Sequence, residues 1–342
     1  MTDLTELVDP AGLKRYLADT LPDYAGEFTI ERLGEGQSCL TFMVSGDGWR
    51  VVLRRPPRGE LPPSAFDVTR EYRVMRALHG SSASVPVAKP LALCEDKSVI
   101  GANFYLMEPV DGLVVRREIP PELDPMDERR RMCETLVDTL RALRAVDYKA
   151  AGLESFGKPE GYLERQLARM NQIREFTRFR DVPEIDEVGK WLADNIPAQA
   201  DTGIVHGDYK LDNVIFAPEP PAQIKAVVDW EMSTLGDPLA DLGWLLYFWR
   251  DPGDPAFGLS ISTVTDQDGF LRRRDILERY GDVPDHINWY SALGGWKIAI
   301  IMEGSYGRFL GGITDHPMFA QLEQGVPALA RRALQAARGE LI

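Results

Sequence analysis

Cysteine is scarce in this sequence, and the positions of the few cysteines argue against two classes of protein. Cys39, Cys94 and Cys133 are odd in number and widely spaced, and no C-x-x-C pair occurs. This pattern fits neither a disulfide framework nor a structural zinc site. The first residues, MTDLTELVDPAGL, also lack the basic start and apolar core of a signal peptide. We therefore expect a soluble protein of the reducing cytoplasm.

Long apolar runs and an excess of positive charge are also missing. The longest apolar runs, such as LGWLLYFW at 242–249, are less than half of the ~20 residues that a membrane span requires. The 53 acidic and 39 basic side chains give a formal net charge of −14, which repels phosphate backbones and anionic membrane surfaces. We expect neither a membrane nor a nucleic acid as a partner.

Four common catalytic or nucleotide-binding motifs are absent as well. The chain has no G-x-x-x-x-G-K-[ST], no complete G-x-G-x-x-G at a strand-to-helix turn, no G-x-S-x-G and no H-E-x-x-H. These absences argue against a P-loop kinase, a Rossmann dehydrogenase, a serine hydrolase and a zincin, respectively.

What the sequence does contain is a change from strand-like to helical patterning. A chain of 342 residues usually forms two units with a ligand cleft between them. Short β-rich runs dominate up to about Met107, and apolar residues at helical spacing dominate after Gly112. We predict an α+β fold with a β-rich N-terminal lobe over 1–108 and a mainly helical C-terminal lobe over 109–342.

The predicted elements can be placed along the chain from apolar periodicity and turn residues. Helices are expected from Asp9, over 66–78, around 133–146, over 161–176, over 185–196 and from Leu239 onward; strands are expected at 28–33, 40–46, 49–55, 87–96, 102–110, 203–208, 213–216 and 224–230. The first three strands form an antiparallel meander with the turn Gly46-Asp47-Gly48 between the second and third.

The stretch IVHGDYKLDNVIF at 204–216 concentrates polar side chains on one loop between two strand-like runs. A second short strand ends at Asp229, so Asp208, Asn213 and Asp229 can project towards one point. Two carboxylates and an amide oxygen are ligands that suit Mg²⁺ and do not suit zinc or copper. Their spacing also fits phosphoryl transfer, in which one Asp accepts a hydroxyl proton while the Asn and the second Asp hold the metal.

HGDYKLDN followed by VVDWE resembles the catalytic and metal loops of the aminoglycoside phosphotransferase and choline kinase family, which shares the bilobal protein kinase-like fold. Protein kinases have H-R-D-L-x-x-x-N and D-F-G at these places. The glycine of His206-Gly207-Asp208 and the Trp-Glu after Asp229 are typical of the small-molecule kinases, so a protein substrate is disfavoured. The phrase WEMSTLGDPLADL looks especially like the phosphotransferase-type domain that is attached to some acyl-CoA dehydrogenases.

The resemblance implies a role for each residue of these loops. Asp208 orients the acceptor hydroxyl and takes its proton, and Asn213 and Asp229 hold Mg²⁺ with ATP. Lys210 stabilises charge on the transferred phosphoryl group, although a solvated lysine is an equally plausible interpretation. His206 and Asp241 are implied to be scaffold residues that hold the catalytic loop.

Further positions resemble the nucleotide site of the family. Gly34, Gly36 and Ser38 lie in a loop that would cover the phosphates, although Cys39 replaces the third glycine and the loop alone could be a hairpin turn. Arg54 takes the place of the phosphate-pairing lysine, and Glu71 is its expected ion-pair partner; the alternative for Glu71 is a solvated helix face. The backbone of Glu108 and Val110 would meet the adenine edge.

The acceptor is less closely defined by these motifs. The resemblance to the dehydrogenase-linked domain implies a hydroxy acid or a hydroxyacyl-CoA, and an aminoglycoside antibiotic is the alternative. A third possibility, from another class, is a non-catalytic protein that binds a nucleotide or metabolite. Candidate acceptor contacts lie on two predicted helices: Tyr162, Arg165, Gln166 and Arg169 on one, and Trp289, Trp296, Glu303 and Tyr306 on the other. Arginines in the pocket would favour an anionic acceptor.

Overall fold

The computed structural model describes residues 7–34, 39–58, 67–199, 201–255, 264–314 and 317–342. Its strands are β1 (Phe28–Leu33), β2 (Leu40–Gly46), β3 (Trp49–Arg55), β4 (Pro90–Cys94), β5 (Phe104–Met107), β6 (Gly203–Val205), β7 (Val214–Phe216), β8 (Ile224–Val227) and β9 (Thr234–Gly236). Its α-helices are α1 (Pro10–Thr20), α2 (Val68–His79), α3 (Met126–Arg144), α4 (Tyr162–Thr177), α5 (Pro183–Asp194), α6 (Leu239–Phe248), α7 (Arg273–Tyr280), α8 (Ile287–Leu310) and α9 (Leu322–Ala337).

A five-stranded antiparallel sheet forms the N-terminal part, in the order β1-β2-β3-β5-β4. The meander over β1 to β3 has the predicted bounds, because apolar side chains alternate along β2 and the Gly46–Trp49 pair closes the turn. Strand β5 pairs with β3 so that Tyr105 lies opposite Arg54. This register places Arg54 on the side of the sheet that faces Glu71 of α2.

Two helices cover the sheet and close the N-terminal core. Asp9 caps α1 by accepting a hydrogen bond from the N–H of Ala11, and Leu13 and Leu17 on this helix are fully buried against the sheet. Asp67 caps α2 in the same way through the N–H groups of Thr69 and Arg70. Helix α2 contacts β4, β5 and the turn after β8, so it connects the N-terminal sheet to the catalytic region.

The C-terminal part is a helical assembly in which α8 packs against α4, α5, α6 and α9. Helix α6 is apolar on all sides because it is enclosed, and its Asp241 is buried with the apolar residues. Two short antiparallel ribbons, β6–β9 and β7–β8, lie at the edge of this assembly. They carry the loops that contain the predicted catalytic and metal residues.

The chain passes from the sheet to the helical part at a close contact between two backbones. Leu113 and Phe216 exchange both of their backbone hydrogen bonds, at 2.9 and 2.8 Å. A Cβ on the adjacent Gly112 would lie 2.2 Å from the carbonyl oxygen of Phe216, so only glycine fits there. The contact attaches the segment after β5 to β7 and thereby to the catalytic loop.

Most predicted elements are present with bounds shifted by one to three residues, and one strand was missed. Strand β9 lies within the stretch that was interpreted as a loop, and its three residues pair with β6. Strands this short carry too few positions for an alternating pattern. None of the described helices combines the length and apolar character that are needed to cross a bilayer.

Candidate active site

We call residues 206–213 the catalytic loop and residues 228–233 the metal loop, after the motifs that they resemble. The two loops lie side by side because β7, which follows the first, pairs with β8, which precedes the second. Val214 at the start of β7 is opposite Val227 at the end of β8, and the carbonyl of Asn213 accepts a hydrogen bond from the N–H of Val228 at 3.0 Å. Asn213 and Asp229 therefore leave adjacent ends of one ribbon. The structure brings together the two residues that the sequence assigned to metal binding.

Asp241 and His206 hold the backbone of the catalytic loop through hydrogen bonds. The buried carboxylate of Asp241 accepts hydrogen bonds from the N–H groups of His206 and Gly207, at 2.6 and 2.8 Å. His206 Nε2 lies 2.9 Å from the carbonyl oxygen of Val228, and its ring packs 4.6 Å from that of Trp230. The imidazole thus links the catalytic loop to the metal loop.

Gly207 is required by the conformation of the catalytic loop. Its φ is +88°, and a Cβ there would approach the carbonyl oxygen of Met232 to 2.8 Å. A side chain at this position, such as the arginine of protein kinases, would be strained and would clash with the backbone. The glycine also leaves space beside Asp208, where it lines a cleft.

The carboxylate of Asp208 is held by three side-chain donors. Trp244 Nε1 donates to Oδ1 at 2.9 Å, and Asn213 Nδ2 and Lys210 Nζ donate to Oδ2 at 2.8 and 2.5 Å. Burial lowers the pKa of Lys210, but the carboxylates of Asp208 and Asp212 outweigh burial, so the net shift is upward. Lys210 is therefore a cation, and the carboxylate that it contacts has a defined orientation.

Arg54 connects the N-terminal sheet to the metal loop. Its Nε donates to Glu71 Oε2 at 2.8 Å, and its Nη2 donates to Asp229 Oδ1 at 2.7 Å. A third contact runs from Nη1 to Thr41 Oγ1 at 3.2 Å. Burial lowers the pKa of Arg54, but the carboxylates of Glu71 and Asp229 raise it by more than burial lowers it. The pKa of Arg54 therefore lies well above the ordinary value.

Asp229 adopts a backbone conformation that is uncommon for its residue type. Its φ and ψ are 67° and 59°, in the left-handed region. Strain of this kind persists where surrounding contacts enforce it and is concentrated at functional sites. Here the ion pair with Arg54 and the buried Trp230, whose Nε1 donates to the carbonyl of Val227 at 2.9 Å, hold the turn.

The donor atoms of Asn213 and Asp229 suit a hard divalent cation. Both hydrogens of the Asn213 amide group face Asp208, through its backbone carbonyl and Oδ2 at 2.8 Å each, so the amide oxygen is directed away from that residue. Asp229 uses only Oδ1 for Arg54. Among the described residues, His, Cys, Asp and Glu side chains form no group of three that could hold a metal ion; waters and phosphates are the usual further ligands of Mg²⁺.

The predicted nucleotide contacts are only partly within the described residues. Gly36 and Ser38 lie outside them, whereas Gly34 follows the end of β1 with a φ of +72°. Glu108 follows β5, and its N–H donates to the carbonyl of Lys89 at 2.9 Å. The segment from Glu108 to Val110 therefore lies where the sheet passes into the helical part. The antiparallel register carries it away from Arg54, towards Arg50, which pairs with Asp111.

A cleft of about 450 Å³ opens beside the catalytic loop, at Gly207. It lies between α4, the start of the 230–234 segment and α8. Of the eight candidate acceptor residues, Tyr162, Gln166 and Arg169 line it. The remaining lining residues are Arg70, Met170, Ile173, Gly207, Glu231, Met232, Ser233, Thr234, Lys297 and Ile301.

The other five candidates have structural partners away from this cleft. Arg165 donates to the backbone carbonyls of Lys158 and Glu160 at the start of its own helix. The indoles of Trp289 and Trp296 are buried and donate to backbone carbonyls of α5, at 3.0 and 2.9 Å. Glu303 is completely buried in an ion pair with Arg180, whose guanidinium also covers the ring of Tyr306 at 4.5 Å. Helical spacing indicated which residues share a face, but not which face meets the cleft.

Two residues of the site were missed by the sequence analysis. Trp244 on α6 contacts Asp208, and Lys297 on α8 lines the cleft beside the catalytic loop. A signal for Lys297 existed, because it is the single charge in the otherwise uncharged stretch INWYSALGGWKIAII at 287–301. Trp244 had no such signal, since a tryptophan in an apolar helix is usually a core residue.

Curated relatives resemble almost the whole of this chain. "Acyl-CoA dehydrogenase family member 11" of Gallus gallus is 35% identical over 96% of the chain, and "Acyl-CoA dehydrogenase family member 10" of Mus musculus is 35% identical over 90%. These alignments cover 43% and 29% of the two relatives. The chain thus spans less than half the length of the relatives that it matches.

Solved structures resemble the fold as a whole. The crystal structure of a Ralstonia eutropha protein, assigned as an aminoglycoside phosphotransferase, matches with a TM-score of 0.82 and 32% identity, and the match covers 96% of this chain and 98% of that one. A complex of the aminoglycoside phosphotransferase APH(4)-Ia with AMP-PNP and hygromycin B matches with a TM-score of 0.61 at 17% identity, over 94% and 98% of the chains. The α+β, kinase-like fold predicted from the sequence is confirmed.

A match to a family covers the larger part of the chain. Residues 29–274 match the Phosphotransferase enzyme family, which is more than half of the chain and includes both loops of the site. This range, together with relatives above 30% identity over nearly the full length, shows that the chain belongs to the phosphotransferase enzyme family.

Proposed function

We propose that this protein is a Mg²⁺-dependent small-molecule kinase that transfers the γ-phosphoryl group of ATP to a hydroxyl of a small metabolite. The observation that carries the proposal is the Asp208 carboxylate, which three side-chain donors orient on the same loop as Asn213, directly after Gly207, which lines an open cleft.

In this proposal the acceptor lies in the cleft with its hydroxyl against Asp208. The bond between the γ-phosphorus and the β–γ bridging oxygen breaks, the acceptor oxygen bonds to phosphorus, and ADP leaves with the electron pair. The hydroxyl proton passes to Asp208. Because the transition state of phosphoryl transfer is loose, the proton moves late, and positioning contributes more than the basicity of the carboxylate. Trp244, Lys210 and Asn213 provide that positioning.

The charged residues around Asp208 and Asp229 have matching roles. Asn213 and Asp229 would hold Mg²⁺, which neutralises phosphate charge when it is bound. Arg54 contacts both Glu71 and Asp229, so it occupies the place from which a cation can pair with the nucleotide phosphates. Lys210 stays protonated beside Asp208 and adds positive charge near the transferred group.

For the acceptor we propose a hydroxy acid or a hydroxyacyl-CoA. The support is the similarity to proteins named as acyl-CoA dehydrogenase family members, together with a cleft lined by the apolar side chains of Met170, Ile173 and Ile301 as well as by cations. An aminoglycoside carries several positive charges, and the cations that line this cleft would repel it.

An acceptor screen tests the proposed function. MgATP is supplied with hydroxy acids, hydroxyacyl-CoAs, aminoglycosides, choline and sugars, and acceptor-dependent ADP release is followed while the phosphorylated product is identified by mass spectrometry. We expect phosphate on a hydroxyl of an acid or thioester. Tight MgATP binding by calorimetry without transfer to any acceptor, and without slow hydrolysis, would instead favour the non-catalytic binding protein. Transfer to aminoglycosides alone would reject the proposed acceptor class.

A further inference from the structure

The cleft beside Asp208 contains two cationic side chains without a carboxylate partner. Among the described residues, no Asp or Glu oxygen lies within the 4.0 Å ion-pair distance of Lys297 Nζ or of the Arg169 guanidinium. Lys297 is partly buried and Arg169 is exposed. A lysine that leaves water without an ion pair is unfavourable in a folded protein, so its position calls for a ligand or a structural cause.

The third cation of the cleft shows what a structural role looks like here. Arg70 donates to the backbone carbonyls of Phe156 and Ser233 at 2.7 and 3.3 Å, and its guanidinium stacks 4.3 Å from the centroid of the Phe156 ring. Both hydrogen bonds come from Nη2, so the protein itself holds this end of the guanidinium. Among the described residues, the only contact of comparable kind for Lys297 is the ring of Trp244, at 5.9 Å, which leaves the three hydrogens of its ammonium group for other partners.

The place of Lys297 within the cleft is defined by its neighbours. It lines both the large cleft and a smaller gap beside Asp241 and Trp244, and Trp244 is the residue that donates to Asp208. The single acidic residue among the described lining residues of the large cleft is Glu231, which lies 3.8 Å from Arg54 and thus on the nucleotide side. The other charged side chains among the described lining residues of the cleft are all cations.

We propose that Lys297 and Arg169 form an anion subsite that binds the carboxylate of the acceptor and so places the acceptor hydroxyl at Asp208. This inference rests on the proposed phosphotransfer to a hydroxyl and narrows its acceptor to a free hydroxycarboxylic acid. Lys297 on α8 is a specificity-determining residue in this view. Arg169 on α4 is the second contact and reaches the acceptor from the exposed side of the cleft.

The electrostatic surroundings of Lys297 agree with this role. The pKa of Lys297 is lowered to about 8, chiefly by burial and also by Arg169, while the carboxylates of Asp241 and Asp208 act in the opposite direction. Tyr162 and Tyr290 also face the gap, and burial raises the pKa of both phenols, so they are neutral. A bound carboxylate would stabilise the protonated lysine. Binding of the acid should accordingly weaken as the pH rises above about 8.

The test compares acids with their uncharged counterparts. Straight-chain hydroxycarboxylic acids, from glycolate upward, are each assayed beside the primary amide of the same acid, with MgATP and the full-length chain. Wild-type protein should prefer the acid. Lys297→Met should raise the KM for the acid on the order of tenfold to a hundredfold, as expected for the loss of one charge-assisted hydrogen bond, and should leave the KM for the amide almost unchanged. Arg169→Gln should show the same pattern with a smaller change.

Arg165→Gln is the matched control, because Arg165 lies one turn from Arg169 on α4, does not line the cleft, and donates to backbone carbonyls at the helix start. It should not change the preference for acid over amide. Affinity for MgADP shows whether the nucleotide site of each variant has folded. An equal KM for acids and amides in wild-type protein, or a preference for the CoA thioester that Lys297→Met does not change, would overturn the subsite.

A binding measurement separates failure of the subsite from failure of the proposed reaction. Thermal stabilisation by the best-binding acid is measured in the presence of MgADP, where no transfer can occur. If the acid stabilises the wild-type protein and not Lys297→Met, the subsite is supported even when no acceptor is phosphorylated. If no acid in the series binds more tightly than its amide, the subsite is rejected even when phosphotransfer to another acceptor is found.

Discussion

The catalytic loop and the acceptor cleft meet at Gly207, and their polar side chains are arranged in opposite ways. Asp208 in the loop and Asp241 on α6 together accept hydrogen bonds from three side chains and two backbone N–H groups. In the cleft, Lys297 and Arg169 have no carboxylate partner among the described residues. The loop is held in one geometry by the protein itself, whereas the cations of the cleft remain available for a ligand.

This difference indicates which part of the site belongs to the family and which part to the substrate. The geometry of the loop is needed for phosphoryl transfer to any hydroxyl, so it is built from internal contacts. A substrate contact must be free before the substrate arrives, and the protein therefore tolerates a lysine whose burial is unfavourable. Substitutions in the two regions should accordingly have different signatures.

The largest effect is expected at Asp208, the proposed base. Asp208→Asn keeps the size of the side chain and removes its ability to accept the hydroxyl proton, so kcat should fall about 10²- to 10⁴-fold. Steady-state ADP release with the identified acceptor measures this, and calorimetry with MgATP checks that the nucleotide site persists. Near-normal turnover would show that the donors around Asp208 serve only the fold.

The second effect concerns the carboxylate beneath the loop. Asp241→Asn retains one acceptor oxygen and places an amide N–H against a backbone N–H, so unfolding should become easier by about 1–3 kcal/mol and kcat should fall as the loop shifts. The control is Asp237→Asn: Asp237 is equally buried but accepts from Tyr290 and from the N–H of Leu239. Denaturant titration and kcat are measured for both. Equal losses of kcat at equal losses of stability would remove any special role of Asp241.

A third, smaller effect is expected at Trp244. Trp244→Phe removes the donor to Asp208 Oδ1 and keeps an aromatic ring in α6, so kcat should drop about tenfold with little change in the KM for ATP. Trp249→Phe is matched, since that indole is also buried but donates to the carbonyl of Leu271, at 2.8 Å. Both variants should lose stability, and only the first should lose turnover. A similar kcat in the two variants would show that Trp244 has no role in catalysis beyond its contribution to stability.

The smallest effect is on stability and has the opposite sign. Lys297→Met should raise the free energy of unfolding on the order of 1 kcal/mol at pH 7, because a partly buried charge is replaced by an apolar side chain. The native pKa of Lys297, about 8, lies below its ordinary value of 10.5. Between these values the unfolded chain binds more protons, so wild-type stability rises with pH there. The stability advantage of the variant should therefore shrink from pH 8 to pH 10.5. Chemical denaturation at several pH values measures this advantage. A variant less stable than the wild type would show that Lys297 has a structural role.

How far the sequence reached can be judged from particular residues. Asp208, Asn213 and Asp229 were identified because polar residues of defined spacing between short strands form a motif, and strand pairing then brings their loops together. Gly207 was noticed as a departure from protein kinases, and its φ of +88° gives that departure a physical reason. For the acceptor site the same approach reached Tyr162, Gln166 and Arg169 but also Trp289, Trp296 and Glu303, which lie in the interior.

The failures on α8 have a common cause. A helix that packs against four others is apolar on nearly every side, so its periodicity does not distinguish the face that meets the cleft from the faces that meet helices. Glu303 was plausible as a substrate contact until Arg180, 123 residues away in sequence, was seen to pair with it. Lys297 was overlooked because its significance lies in the partners that it does not have.

By itself, the sequence indicated the family, most of the strands and helices, and the residues that we propose for catalysis and metal binding, since these depend on local spacing and on backbone conformations that few residue types allow. Only the tertiary structure decided which charges are neutralised inside the protein and which face the cleft. That distinction depends on distances between side chains from α4, α6, α8 and the loops, and contacts between segments so far apart in the chain leave no periodic trace in any one of them.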